Sequence, residues 1–295
     1  MYSFHYNILL REIEYDFVNF FQKRRILFAM DNVQKCRRIT VKIGSSTLTH
    51  AKTGRLNIRR METLVRTLAD IKNSGREVVL VSSGAVTAGT AKLGMEICPR
   101  PVEEKQALAA VGQTELMRMY ERLFAMYGYQ VGQILMTRDV VDDEKRLRLI
   151  KNTFSRLLDF GCIPIVNEND SISSEGLQFK GNDTLSAYVA MVCESDLLVN
   201  LSDVDGMYDS DPRKNPDAKL ISRVDKITDT IRRSAGGAGS ALGTGGMETK
   251  VQAAEIAGAA GIPMLLLSGK DPSVLYSIID GEKIGTYFAA QARHE

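Results

Sequence analysis

The sequence predicts an α/β fold, a three-layer αβα sandwich around a mostly parallel sheet. Short apolar runs bounded by polar or glycine turns recur along the chain, and each is followed by a stretch with helical spacing. Alternation of this kind builds a parallel sheet with helices on both faces. A third observation fits the same architecture: small polar clusters stand directly after the apolar runs, at the strand ends where such sheets bind ligands.

The elements follow in order. Residues 39–43 read as the first strand, and Ile58, Met61, Leu64, Val65 and Leu68 then fall on one helical face, stopped by Gly75. Further strands are predicted at 78–81, 131–136, 163–166, 197–201 and 263–267. Helices are expected at about 103–127, 146–160, 183–194, 247–260 and 272–280. No repeat or low-complexity linker interrupts the array, so residues 37–295 are read as one domain.

Residues 1–36 stand apart as an extension crowded with Tyr and Phe but interrupted by charges, without the layout of a signal peptide. It reads as an added helix, a membrane-surface helix, or sequence upstream of a start at Met30. The last is preferred, because the recognisable fold begins only at Arg38.

Composition narrows the classes. The 295 residues are 44% hydrophobic and 25% charged, with a net charge of +2, too small for a nucleic-acid-binding face. Cys36, Cys98, Cys162 and Cys193 have no metal-ligand spacing, which suggests free thiols in a reducing compartment. No run reaches the ~18 apolar residues of a membrane span. With only His5, His50 and His294 present, a histidine general base is not expected.

The chemistry concentrates in glycine and polar loops. Six glycines lie between Gly236 and Gly246, ahead of an alanine-rich helix whose first turn carries Lys250. Glycines let backbone N–H groups approach an anion, and a helix start adds unpaired donors. Neither the Walker loop nor the dinucleotide fingerprint is present in full, which disfavours a P-loop ATPase or an NAD enzyme. Lys42 is a charge inside an apolar strand, beside Gly44; it either snorkels from an edge or meets phosphate. Ser82 and Ser83 either cap the next helix or hold a substrate carboxylate. The run from Asn167 to Asp170 and the group Gly181-Asn182-Asp183 are turn formers or a grip on a charged amino group. Ser202 and Asp203 are a loop turn or a nucleotide contact.

In order and spacing, these segments resemble the amino-acid kinase family, and within it the branch that phosphorylates glutamate. The likeness runs from about Arg38 to Phe288. It rests on Val41-Lys42-Ile43-Gly44-Ser45-Ser46, Val81-Ser82-Ser83-Gly84-Ala85, Ala110-Val111-Gly112-Gln113, Asn167-Glu168-Asn169-Asp170, Asn182-Asp183-Thr184-Leu185-Ser186-Ala187 and the run from Gly243 to Lys250.

The resemblance implies an amino-acid kinase type of fold. It also implies transfer of the ATP γ-phosphoryl group to the side-chain carboxylate of L-glutamate, giving L-glutamyl 5-phosphate, the first step of proline biosynthesis. By that likeness Lys42 and Lys250 neutralise charge on the transferred group and Asp183 orients them. Ser83, Asp170 and Asn182 bind glutamate. Lys42, Ser202, Asp203, Thr244, Gly245, Gly246, Met247, Glu248, Thr249 and Lys250 bind ATP. Mg2+ accompanies the nucleotide, held mainly by its phosphates. A cytoplasmic homo-oligomer, dimer or tetramer, with proline as feedback inhibitor and no nucleic-acid or membrane partner is expected.

Two departures from the family stand out. Gly181 occupies a position usually acidic, and the chain ends soon after Phe288, so a form without the C-terminal PUA domain is expected. The rival readings are another kinase of the family, acting on acetylglutamate, aspartate, carbamate or a nucleoside monophosphate, and a catalytically silent nucleotide sensor. Lys42, Asp183 and Lys250 together favour an enzyme.

Overall fold

The computed structural model describes residues 30–291 apart from 97, 99, 174–177, 180, 213 and 236–245. Among the described residues ten strands form in chain order: β1 Arg38–Ile43, β2 Glu77–Ser82, β3 Val131–Met136, β4 Ile163–Glu168, β5 Leu197–Ser202, β6 Met207–Tyr208, β7 Leu220–Ile221, β8 Arg223–Val224, β9 Met264–Ser268 and β10 Thr286–Phe288. The helices are α1 Ser45–Leu48, α2 Ile58–Asn73, α3 Ala85–Lys92, α4 Val102–Ala125, α5 Asp139–Asp142, α6 Glu144–Asp159, α7 Asn182–Val192, α8 Asp229–Ala235, α9 Met247–Ala259 and α10 Val274–Asp280. A 3-10 helix at Met30–Lys35 precedes them.

The main sheet runs β3-β4-β2-β1-β5-β9-β10-β8. All six strands read from the sequence lie in it and pair in parallel. β10 reverses direction against β9, and β8 pairs in parallel with β10. These two are short, three and two residues long, which leaves too little periodicity to read from sequence. The pair β6 and β7 forms a separate small hairpin.

The period of two along each strand sorts its residues into two cores. Ile39, Val41 and Ile43 of β1 join a cluster with Leu64 and Leu68 of α2, Phe124 of α4 and Leu275 of α10. On the other face, Leu198 of β5 and Leu266 of β9 pack with Ala187 of α7 and Ala254 of α9. Val79 and Val81 of β2 pack there with Phe154 of α6 and Leu185 of α7. Helices thus cover both faces of the sheet, as the three-layer architecture requires.

The 3-10 helix at Met30–Lys35 belongs to the segment read as an extension. Val33 and the following Cys36 join the first core cluster; residues 1–29 lie outside the described residues. Among the described residues no helix is long and apolar enough to cross a membrane.

Candidate active site

Three charged side chains meet under the carboxyl end of the sheet. Lys42 alternates with Val41 and Ile43, which join the core on the other face of β1, so its side chain leaves the sheet on the α7 face, where it forms an ion pair with Asp183 Oδ1. Lys250 Nζ, in the first turns of α9, reaches Asp183 Oδ2 at 3.2 Å. All three side chains are buried.

Two neutral donors complete the shell of the carboxylate. Asn200 Nδ2 donates to Oδ1 at 2.9 Å, and Thr249 Oγ1 donates to Oδ2 at 2.7 Å. Asn200 is the register partner of Lys42 across β1 and β5, which explains why the two side chains reach the same oxygen. A carboxylate offers about four lone-pair positions, so these four donors saturate Asp183.

The electrostatics follow from that shell. Burial alone would raise the Asp183 carboxyl, but the Lys42 and Lys250 charges, with hydrogen bonds from Lys42 and Asn200, hold it well below the usual carboxylate range. Burial pulls the Lys42 ammonium down from its ordinary value; Asp183 opposes this and Lys250 reinforces it. Asp183 therefore stays ionised and keeps two like charges side by side.

A second group lies at the ends of β2 and β4. Asn182 Nδ2 contacts Ser83 Oγ and Asn167 Oδ1, each at 2.8 Å, and Ser82 O at 3.2 Å. Asn167 Nδ2 in turn donates to Gln113 Oε1 of α4 at 2.9 Å. Neither serine caps α3, the reading that competed with binding. Gly84 starts that helix at φ 102° with no side-chain cap, Ser82 pairs with Tyr120, and Ser83 faces Asn182. A left-handed φ of this kind favours glycine.

Adjacent Asn182 and Asp183 open α7, so one helix start serves both groups: Asn182 reaches the serine loop and Asp183 the lysines. Gly181 precedes them at φ 107° and ψ 165°, a conformation reserved almost wholly for glycine. An acidic side chain at this position would require a different backbone path.

Asp170 sits two residues beyond β4, the strand whose end carries Asn167. Burial first, then the charge of Glu168, pushes its carboxyl up to about 6. Glu168 is itself fixed from within the protein: Ser173 Oγ and the Phe179 N–H donate to it at 3.0 and 3.1 Å.

The residues expected from the sequence to meet a nucleotide lie at the end of β5 and the start of α9. Ser202 Oγ donates to Asp203 Oδ1 at 3.0 Å, and the Asp203 charge reaches Lys42. Gly246 O lies 2.9 Å from Thr249 Oγ1, whose one proton points to the closer Asp183 Oδ2, and it accepts from Lys250 Nζ at 3.4 Å. Met247 packs its side chain against the apolar cluster and Glu248 is exposed. Thr244 and Gly245, with most of the glycine-rich segment, lie outside the described residues.

A family model described as the Amino acid kinase family matches residues 37–268. The chain belongs to the amino acid kinase family. Curated relatives of this amino acid kinase include the glutamate 5-kinase of Clostridium acetobutylicum, 52% identical over 251 residues, which span 85% of this chain and 94% of that protein. The glutamate 5-kinase of Clostridium perfringens is 50% identical over 259 residues, 86% of this chain and 96% of that protein. The same name and identity hold for a protein of Carboxydothermus hydrogenoformans over 256 residues, 87% of this chain and 68% of that protein.

Solved structures match the fold of this amino acid kinase at low identity. UMP kinase from Bacillus anthracis gives a TM-score of 0.60 at 17% identity, covering 87% of this chain and 97% of that one. Isopentenyl phosphate kinase from T. acidophilum gives 0.58 at 19%, covering 85% and 99%.

Two contributors to the site of this amino acid kinase were not read as such from the sequence. Asn200 sits inside an apolar strand, where a lone amide is the kind of exception that could have flagged it. Gln113 supports Asn167 from α4, a contact between distant segments that local spacing does not reveal.

Proposed function

We propose that this chain transfers the γ-phosphoryl group of ATP to the side-chain carboxylate of L-glutamate. The observation that carries the reading is the buried set of two lysines held on opposite oxygens of one carboxylate. Phosphoryl transfer needs little covalent help from a protein; it needs positioning and neutralisation of charge on the transferred group. Two ammonium groups fixed side by side supply that neutralisation. The relatives named glutamate 5-kinase support glutamate as the acceptor.

The carboxylate nucleophile is already ionised at neutral pH, so no general base is required. Asp183 is unsuited to that task in any case: its lone pairs are taken by Lys42, Asn200, Thr249 and Lys250, and its carboxyl is held acidic. It is a positioning residue. The same saturation leaves it no place for a cation, so magnesium would enter as MgATP, carried by the phosphates. Lys42, Ser202, Asp203 and the run Thr244, Gly245, Gly246, Met247, Glu248, Thr249 and Lys250 would take the nucleotide. Ser83, Asp170 and Asn182 would take glutamate, with Asp170 facing its ammonium group.

The test is to incubate the purified chain with MgATP, hydroxylamine and a panel of acids. An acyl phosphate is trapped as its hydroxamate. Hydroxamate from glutamate but not from acetylglutamate or aspartate is expected. A folded protein that binds ATP and gives no hydroxamate with any acid would replace this reading with that of a nucleotide sensor.

A further inference from the structure

A cleft of about 860 Å3 opens between the start of α2 and the loop joining β9 to α10. Its walls carry Arg59, Arg60, Arg66 and Lys270, and its one carboxylate is Asp271. Asp271 accepts the Ser273 N–H at 3.0 Å. After that bond, the charges of Arg59 and Arg66 reach Asp271 and help hold its carboxyl down, so one carboxylate is shared among the cations of the cleft. The cleft is separate from the lysine pair: α2 and α10 pack on one face of the sheet, whereas α7 and α9 pack on the other.

This arrangement opposes what folding alone would select. The positive end of a helix dipole favours acidic residues in the first turn and disfavours basic ones. Here the first turn of a 16-residue helix holds Arg59 and Arg60 and no acid. Asn57 caps only the Arg60 N–H, at 3.1 Å. Cations that repel one another around a helix start, with one carboxylate for company, become favourable when a multiply charged anion joins them. The only ring in the lining is the His50 imidazole, set among the cations and with no Phe, Tyr or Trp, so a phosphate chain is the part it would recognise.

Both walls of the cleft touch the loops of the proposed active site. Arg60 donates to Thr47 O at 3.1 Å and approaches Ser46 O at 3.5 Å, in the turn that follows Lys42 and Gly44. On the other wall, the Gly269 N–H donates to Ser202 O at 2.6 Å.

We propose that this cleft is a second anion site, which takes a phosphate chain from an inorganic polyphosphate or a phosphorylated small molecule and is coupled to the catalytic loops through Arg60 and Gly269. The experiment titrates the full chain, with its catalytic site filled by a non-hydrolysable ATP analogue and glutamate, with inorganic tripolyphosphate in a calorimeter. GTP is titrated in a parallel arm. One tripolyphosphate per chain is expected, weakening with added salt. Affinity should drop by at least about tenfold in the Arg59→Ala, Arg66→Ala double variant, whose melting and ATP kinetics without the anion stay near those of the parent. Lys270→Ala should weaken it in the same direction. Absence of binding to the parent chain, or equal binding by the variants, would overturn the proposal. A preference for GTP above about tenfold would overturn recognition of the phosphate chain alone.

Discussion

Asn200 donates its side-chain amide to Asp183 Oδ1 at 2.9 Å from inside β5, where it is fully shielded from solvent. Its own Oδ1 has no hydrogen-bond partner among the described residues. A buried polar atom left unpaired costs free energy. Its retention beside Lys42 points to a task for the amide: holding the carboxylate that spaces the lysines.

Replacing Asn200 by Leu tests that task. A hydrogen bond to a charged group contributes about 1.5–3 kcal/mol, but the substitution also removes the unpaired acceptor, so melting should change little. Turnover is expected to fall by about tenfold, with the glutamate KM within about twofold. A variant with parental turnover would show that Lys42 and Lys250 need no help from the amide.

Asp183 carries more than catalysis. Asp183→Ala leaves two buried ammonium groups without their counter-charge, a loss of about 3–5 kcal/mol. Urea unfolding should show it as a clear drop in midpoint. Replacing the set together by Lys42→Met, Asp183→Leu and Lys250→Met should restore stability but not activity. A stable Asp183→Ala chain would mean that the lysines are not held by charge.

Asp170 sets a pH limit. Burial and Glu168 push its carboxyl up to about 6, so it loses its charge as the pH falls below that value. If it faces the ammonium of glutamate, kcat/KM for glutamate should decline on the acid side with a midpoint near 6. Asp183 remains ionised across this range and contributes no such limb. In Asp170→Asn the limb should vanish and KM should rise at neutral pH. An unchanged acid limb in that variant would assign it to another group.

Gly181 answers a question raised by comparison with the family. Restoring an acidic residue by Gly181→Asp places a side chain at φ 107°, where strain of about 1–3 kcal/mol is expected. The variant should melt earlier and bind glutamate no better. Tighter glutamate binding at unchanged stability would show that the backbone adapts and that the acidic side chain is missed.

Much of this was legible in the sequence because it rests on local periodicity. The six parallel strands and the helices between them follow from runs of 4–8 apolar residues and from helical spacing. Lys42, Asp183 and Lys250 could be picked out as charges at strand and helix ends. What the sequence hid was set by register. That Asn200 lies opposite Lys42 depends on the pairing of β1 with β5, which are separated by most of the chain. The role of Ser83 depended on Gly84, whose positive φ starts α3 without a serine cap. β8 and β10 are too short to show a period, and their reversed direction is a matter of tertiary pairing.

Oxygen transfer tests the central claim most directly. Glutamate labelled with 18O in its side-chain carboxylate is incubated with MgATP, enzyme and hydroxylamine. Attack of the carboxylate on the γ-phosphorus makes a labelled oxygen the bridge of the acyl phosphate and releases ADP. Hydroxylamine then attacks the carbonyl carbon and expels phosphate with that oxygen. One 18O in each released phosphate, read by the isotope shift in its 31P resonance, is the predicted result. Phosphate released without label would mean that water, not glutamate, is the acceptor, and would contradict the assignment.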